Sequence, residues 1–558
     1  MELIKDILSR IIRHAFGVPD NFSVEVTPAP ELTTTGGFRA DYATNVAMKL
    51  AGILHQNPKE IANTLTAEFS RTVADEFPQL KGVKTEVAGA GFINFMLPDA
   101  YFTAELAKLN TGFDKNISYN AYSGKTVVTE FSDPNPFKVL HIGHLYTSIM
   151  GESITKLIEF AGGTVHRVNF GGDVGLHVAK TLFCLEKKNL ADFTIDDIAT
   201  AYVEGTKNYE ESPEAKQAIT KLNKEIYQIA AENRHDTQLA KDYWHGRELS
   251  YNYFNDFYDQ LGVQFEKYYP ESSVAGKGLQ IIKEHPDVYQ ISDGALVFKG
   301  EPYGLHTRVF VNRDGLPTYE AKDVGLLFTK NDDYHFDESV VITGNDIIDY
   351  MKVVLKSVEQ YAPELVAKTL HLTHGNVRLP GNEKMSSRKG NFIKAIDVLT
   401  EVEQKTKSKT LALAAIKYAL LKYRIGGNIE FNIDESISTT GNSGVYLLYS
   451  AVRANKILAS LSKTNPNLEN YTLSPEEITL NKKILNYKTV LKDAVQEKAP
   501  HLICNYLFDL AQTFSRFYES CHVKGDEHEA ERGTEVAVFA QIMAHGLDLL
   551  GINVPEEM

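Results

Sequence analysis

Hydrophobic and polar positions along the chain change their period twice, and these changes divide it into three parts. The first part opens with MELIKDILSRIIRHAF, whose apolar residues fall three and four apart and predict an amphipathic helix. DYATNVAMKLAGILHQNPKEIANTLTAEF predicts a helical pair broken at Pro58, and VKTEVAGAGFINFMLP predicts strands bent at Gly89 and Gly91. Residues 1–112 therefore read as a small α+β module. From about 115 to 390, short β-branched runs alternate with helix-length stretches. The runs are Thr126–Thr129, Thr164–Phe170, Leu296–Phe298, Thr307–Asn312 and VVITGND. Such alternation predicts an α/β, Rossmann-like domain on a largely parallel sheet over 113–390. Between about 190 and 255 the pattern turns charged and helical, which predicts an insertion on the domain surface. Residues 391–434 read as connecting helices and 435–558 as an all-α helical bundle.

Candidate chemistry concentrates at one junction, VVTEFSDPNPFKVLHIGHLYTSIM, residues 127–150. A buried strand ends before Pro134 and Pro136, which cannot continue a central strand. A helical pattern then starts near His141. Strand, tight loop and helix N-terminus form the phosphate-binding entry of a Rossmann-type unit, where free N–H groups and the helix dipole favour anions. His141 and His144 at i, i+3 in a first turn share one face, and Gly143 leaves room for a flat ring against the backbone. Two imidazole donors there suit charge developing on an α-phosphate during in-line displacement.

Other clusters follow. Gly171-Gly172-Asp173 and Gly175 end the second strand, where glycines let the backbone approach a ligand. Tyr319 and Asp323, four apart at a helical start, point the same way. Lys384-Met385-Ser386-Ser387-Arg388-Lys389-Gly390 joins small residues to cations that can close over a triphosphate. In the bundle, Tyr449, Arg453, Arg516 and Tyr518 are candidates for contact with RNA bases.

Composition narrows the partners. Lys plus Arg number 58 against 73 acids, a net charge of −15. That argues against a sequence-blind nucleic-acid coat but leaves a structured RNA held by local basic patches. Cys184, Cys504 and Cys521 show no ligand spacing and read as buried small hydrophobes. No apolar run approaches the ~18 residues of a membrane span. The first helix carries charges that a signal peptide's apolar segment lacks. A soluble, cytoplasmic protein is the expectation.

HIGH at 141–144, followed about 240 residues later by KMSSR, resembles the catalytic pair of the class I aminoacyl-tRNA synthetases. Finer matches resemble the arginyl-tRNA synthetases. TEFSDPNPFKVLHIGH is similar to that family's E-F-S-x-P-N-x-x-K-x-x-H-x-G-H. So are the Tyr-x-x-x-Asp of TYEAKD preceded by Asp-Gly, and DYATNVAMKL, GFINF, YSAVR and the closing LLGINVPEEM. The likeness runs nearly end to end.

It implies ATP-dependent activation of arginine and transfer to the 3′ end of tRNA-Arg. It also implies a monomer, with Mg²⁺ arriving on ATP and no protein-ligated metal site. The first module would touch the tRNA elbow and the bundle would read the anticodon region. By the same likeness His141, His144, Lys138 and Lys384 are catalytic, and Gly143, Gly172, Asp173, Met385, Ser386, Arg388 and Lys389 bind ATP. Glu130, Asn135, His141, Glu271, Tyr319 and Asp323 would hold arginine, whose rigid fork of donors suits carboxylates. The arginine reading expects Glu130 and Asp323 to converge near His141, uncapped by internal lysines.

Some positions depart from the family's pattern. Ser387 stands where the second lysine of the later motif is usual, and Lys138, Arg388 or Lys389 would compensate. Ile347 replaces a usual Gln or His, and Val174 and His177 replace the more usual Trp and Gln. Three alternatives stay open: a synthetase for another amino acid, a small-molecule nucleotidyltransferase, and a catalytically dead tRNA-binding paralogue.

Overall fold

The computed structural model describes residues 2–19, 21–29, 39–188, 192–378, 380, 393–462, 466–468 and 471–558. Lys384, Met385, Ser386, Ser387, Arg388 and Lys389 lie outside the described residues. The chain divides into two compact units. One comprises Ser118–Tyr449, Leu491–Asn505 and Ala544–Met558; the other comprises Met1–Ile117, Ser450–Val490 and Tyr506–Met543.

The larger unit is built on five parallel strands: β1 (Thr126–Glu130), β2 (Thr164–Gly171), β3 (Lys267–Pro270), β4 (Glu338–Gly344) and β5 (Thr369–His374). Their order is β5–β4–β1–β2–β3. Val127 and Val128 of β1 and Val340, Val341 and Ile342 of β4 are buried, as expected of parallel strands covered on both faces. The chain steps outward from β1 to β3 and resumes on the opposite side at β4. Strand order therefore reverses between β1 and β4, and a crevice opens beyond their C-terminal ends. Glu130 closes β1 at that level, level with Val168 of β2 and Val341 of β4.

Two expected strands of this sheet lie elsewhere. Ala295–Phe298 and Arg308–Val311 join Gln290–Ser292 in a separate three-stranded antiparallel sheet. The cause is local: Asp293 (φ 48°) and Gly294 (φ 79°) form a two-residue hairpin turn with both φ values positive. The insertion is present as helices Ile195–Glu211, Pro213–Glu232 and Gln238–Leu261, N-capped by the hydroxyls of Thr194, Ser212 and Thr237. It is more than a surface addition. Ile198, Ile219, Ile226, Ile229 and Tyr243 share one core with Phe137 from the loop after β1.

Four helices carry the site: α1 (Ile142–Phe160), α2 (Glu271–Glu284), α3 (Tyr319–Tyr334) and α4 (Ile348–Glu359). Helices α2 and α3 cross at bare backbone. A Cβ on Gly278 would lie 1.8 Å from the Ala321 carbonyl oxygen, and one on Gly325 would lie 2.3 Å from that of Val274. Only glycine permits this approach.

In the other unit a four-stranded antiparallel sheet packs with helices Glu2–Phe16 and Pro58–Glu76. Ile7, Leu8, Phe69 and Phe95 share their core with Tyr471, Leu473 and Ile478. Among the C-terminal helices, Phe514 stacks on Phe539 with ring centroids 3.8 Å apart. The three cysteines are buried and unpaired. Among the described residues no helix is long and apolar enough to cross a membrane.

Candidate active site

The loop after β1 delivers the site. Three of its non-glycine residues are left-handed: Ser132 (φ 74°), Asp133 (φ 47°) and Phe137 (φ 64°). Each such conformation costs about 1–3 kcal/mol and persists only where the surroundings impose it. Here they do. The Ser132 hydroxyl bonds to those of Tyr258 (2.8 Å) and Ser148 (2.9 Å). The Phe170 N–H donates to the Asp133 carboxylate (2.8 Å), and the Phe137 N–H donates to the Ser250 hydroxyl (2.9 Å). The Phe137 ring stacks on Tyr243 and abuts Gly246, where a Cβ would lie 2.4 Å from Phe137 Cε1. The path so fixed brings Asn135, Lys138 and His141 to one cavity of about 80 Å³, lined also by Pro134, His144 and Tyr202.

His141 is the N-cap of α1 and His144 its third residue. The Gly143 N–H donates to His141 Nδ1 and the His141 N–H to His144 Nδ1, each at 3.1 Å, with the rings 4.0 Å apart. A backbone N–H only donates, so neither Nδ1 carries a proton. Burial, with Lys138 next in effect, lowers His141 to about 4; burial, His141 and Lys138 hold His144 well below the usual imidazole range. Both rings are therefore neutral at pH 7 and present Nε2–H as their donor. Gly143 makes this possible, and the flat ring lying on it is that of His141 itself. A Cβ there would sit 2.8 Å from His141 Cε1 and 2.9 Å from Nδ1.

The expected free N–H groups of this helix start are taken. Ile142 N–H donates to the Ile393 carbonyl (3.1 Å), Gly143 N–H to the His141 ring, and His144 N–H to the His141 carbonyl (2.9 Å). The donors offered to an anion are side-chain Nε2–H groups instead. The chain on both sides of residues 381–392 is tied to this turn. Ala395 N–H donates to the Leu140 carbonyl (2.9 Å). His374, kept neutral by burial, donates from Nδ1 to the Gly375 carbonyl (2.8 Å) and accepts the Thr147 hydroxyl at Nε2 (2.6 Å).

The acids divide by partner. Glu130 is held by the Lys330 ammonium of α3, with both side chains under 5 % exposed. Glu271 is held by Lys322 at 2.5 Å, with the Tyr227 and Tyr319 rings 5.2 and 5.0 Å from the ammonium. Asp323 has no lysine or arginine partner among the described residues; the Tyr350 hydroxyl donates to it. Burial, opposed by that hydrogen bond and reinforced by Glu130, Glu271 and Glu320, lifts Asp323 to about 8. The expectation of two uncapped carboxylates is thus corrected. Glu130 is capped by an internal lysine, as a fully buried strand-end carboxylate must be; Asp323 is not.

Asp173 faces inward as well. It is wholly buried, accepting from Ser272 N–H (2.9 Å) and hydroxyl (2.6 Å), Tyr243 (3.3 Å) and Arg247 (3.0 Å). It pins the start of α2 to the insertion instead of facing the cavity. Gly172 is close-packed by protein, with its N–H on Asn135 Oδ1 (2.8 Å) and its carbonyl on His177 Nε2 (2.7 Å). Asn135 Oδ1 and Glu271 Oε1 would lie 2.6 and 3.0 Å from a Cβ on Gly172, so these three positions converge. Tyr319 is 56 % exposed, its ring 5.0 Å from the Lys322 ammonium.

Of the RNA-contact candidates, Tyr449 is exposed in the larger unit, and Arg516 is exposed in the other. Arg453 covers the Tyr518 ring at 4.2 Å. Sequence reasoning missed Tyr202, Tyr227, Arg247, Lys322, Lys330 and Tyr350. Lys322 and Lys330, eight apart among the buried Ala321, Val324, Leu326 and Leu327, were the readable signal.

A model of the class I (R) tRNA synthetase catalytic domain matches residues 110–416. An arginyl-tRNA synthetase N-terminal domain model matches 2–97 and a DALR anticodon-binding domain model matches 447–558. An arginine–tRNA ligase of Fusobacterium nucleatum is 28 % identical over 586 aligned positions, covering 100 % of this chain and 99 % of that one. Two solved structures share the fold. The Thermus thermophilus arginyl-tRNA synthetase has a TM-score of 0.78 at 22 % identity, covering 100 % of both chains. That of Plasmodium falciparum has a TM-score of 0.77 at 21 % identity, covering 100 % of this chain and 99 % of that one.

Proposed function

We infer the work of individual residues from one premise: the chain belongs to the class I arginyl-tRNA synthetases. It is an arginine–tRNA ligase that uses ATP to aminoacylate tRNA-Arg. The roles below are our reading of its site. The observation that carries them is the paired, neutral imidazoles of His141 and His144, each with Nδ1 occupied by a backbone N–H.

In the first step the arginine carboxylate attacks the α-phosphate of ATP and pyrophosphate leaves. The two Nε2–H donors and Lys138 meet the charge that grows on the phosphoryl oxygens. Asn135 has its oxygen committed to Gly172, so its amide N–H groups are the part left for the arginine carboxylate. Asp323 takes the guanidinium, flanked by Tyr319 and the Glu271–Lys322 pair. Gly143 seats the His141 ring; Gly172 and Asp173 hold the cavity wall. We assign Lys384, Met385, Ser386, Arg388 and Lys389 to the triphosphate, with Mg²⁺ arriving on the nucleotide. In the second step the terminal ribose hydroxyl of tRNA attacks the adenylate carbonyl and AMP leaves.

Beyond the cleft, we assign the first module to the tRNA elbow, and Tyr449, Arg453, Arg516 and Tyr518 to the anticodon region. A monomer in the cytoplasm is the assembly we expect, and sedimentation with and without tRNA checks the first point. The deciding experiment is aminoacylation of bulk tRNA with each of the twenty amino acids. Arginine alone should be charged, and His141→Ala and His144→Ala should each lower kcat by about 10²–10³. Charging of another amino acid, or histidine variants at wild-type rate, would overturn this assignment of roles.

A further inference from the structure

We propose that Tyr350 is a positioning residue of the arginine pocket, its phenol holding one oxygen of Asp323 and leaving the other for the guanidinium. The proposal rests on the assignment of Asp323 to that pocket.

The acids around Asp323 each have a donor of their own. Glu130 has Lys330, Glu271 has Lys322, and Glu320 accepts from Arg308 at 3.2 Å. Asp133 accepts the Phe170 N–H. Asp323 alone of these relies on a phenol. Tyr350 comes from α4, three residues beyond Ile347, the N-cap of that helix. Ile347 has no polar group to offer the pocket, and the polar contact arrives one turn later. The Tyr350 ring is itself clamped, with the Arg308 guanidinium 5.2 Å from its centroid.

A proton balance follows. Burial and the surrounding carboxylates keep Asp323 protonated at neutral pH, whereas the guanidinium is always charged. Binding arginine then releases the Asp323 proton to solvent and forms the charged pair. The Tyr350 hydrogen bond favours the carboxylate and so lowers the pH at which this happens. Removing it makes arginine binding more dependent on pH, an effect that loosened packing alone would not produce.

The test uses full-length enzyme, tRNA-Arg and steady-state aminoacylation between pH 6.5 and 9. Tyr350→Phe keeps the ring on Arg308. It should raise KM for arginine about 10-fold or more at pH 7 and leave kcat at saturating arginine within about 3-fold. The excess should shrink towards pH 9, and the inflection in log KM should move to higher pH. In calorimetry of arginine binding at pH 7, wild-type heats should differ between phosphate and Tris buffers by the amount that proton release predicts. A KM raised equally at every pH, or buffer-independent heats, would overturn the proposal. Should Tyr350→Phe fail to fold, difluorotyrosine at position 350, a stronger donor of similar shape, must move the inflection to lower pH; an unmoved profile also overturns it. Asp323→Asn separates the two readings. If Asp323→Asn leaves KM unchanged, the pocket assignment itself falls. If it raises KM while Tyr350→Phe behaves as wild type, only the role of Tyr350 falls.

Discussion

Replacing Gly143 by alanine should separate the aim of the imidazoles from the stability of the fold. The new Cβ would sit 2.8 Å from His141 Cε1 and 2.9 Å from Nδ1, so the ring must swing away and its 3.1 Å bond from the Gly143 N–H must break. That bond is worth about 1 kcal/mol net, and an off-rotamer His141 costs about 0.5–1.5 kcal/mol more. Against this, alanine in a helix is favoured over glycine by roughly 0.5–1 kcal/mol. Net stability should therefore fall by about 0.5–2 kcal/mol, a drop of roughly 1–8 °C in Tm at about 2–4 °C per kcal/mol. Catalysis has no such compensation. The Nε2–H of His141 loses its direction, and losing one transition-state donor costs about 10²–10³ in kcat, or ~2.7–4 kcal/mol. The assay is aminoacylation at saturating ATP and arginine, beside a thermal melt of the same preparation. A kcat within 3-fold of wild type, or a loss explained by unfolding at the assay temperature, would refute the reasoning.

Other outcomes follow from the same geometry. His141 titrates near 4 in the fold and, when unfolded, in the ordinary imidazole range near 6.5. The unfolded chain thus binds more protons between those values, and the stability this group contributes is intact above about pH 6.5 and lost as pH falls towards 4. In kcat at saturating arginine, no inflection from His141 or His144 should occur near pH 6.5; one that disappears in either histidine variant would contradict the neutral assignment. Glu130→Gln strands the buried Lys330 ammonium and should cost about 3–5 kcal/mol in denaturant unfolding, with much of it recovered in the E130Q/K330M double variant. A folded Glu130→Gln protein with KM for arginine raised more than 10-fold would return Glu130 to the pocket. Gly278→Ala places a Cβ 1.8 Å from the Ala321 carbonyl and should lower stability by about 1–3 kcal/mol or more. It should also weaken arginine binding as Glu271 and Lys322 part, and a Gly278→Ala protein with wild-type Tm and KM would rule out a tight α2–α3 crossing.

What the sequence determined by itself was local or periodic. Alternating β-branched runs and helical stretches specified the parallel sheet. Two prolines after β1 placed His141 at a helix start, and the spacing of Tyr319 and Asp323 set them on one helix face. Even the hairpin at Asp293-Gly294, which removed two expected strands from the main sheet, was written in its turn residues, although the β-branched pattern around it suggested otherwise. The charge balance of the pocket was not legible in this way. Glu130 and Lys330 stand 200 positions apart and Glu271 and Lys322 stand 51 apart, and no periodicity links such pairs. Whether a buried carboxylate meets an ammonium, a phenol or a ligand depends on which helices cross. That was decided by bare glycine contacts at Gly278 and Gly325 and by a loop held left-handed at Ser132, Asp133 and Phe137. Element type follows from short-range sterics and alternation, whereas the partner of a buried charge is set by packing between distant segments, so only the tertiary structure left Asp323 on a phenol, with no lysine or arginine partner among the described residues.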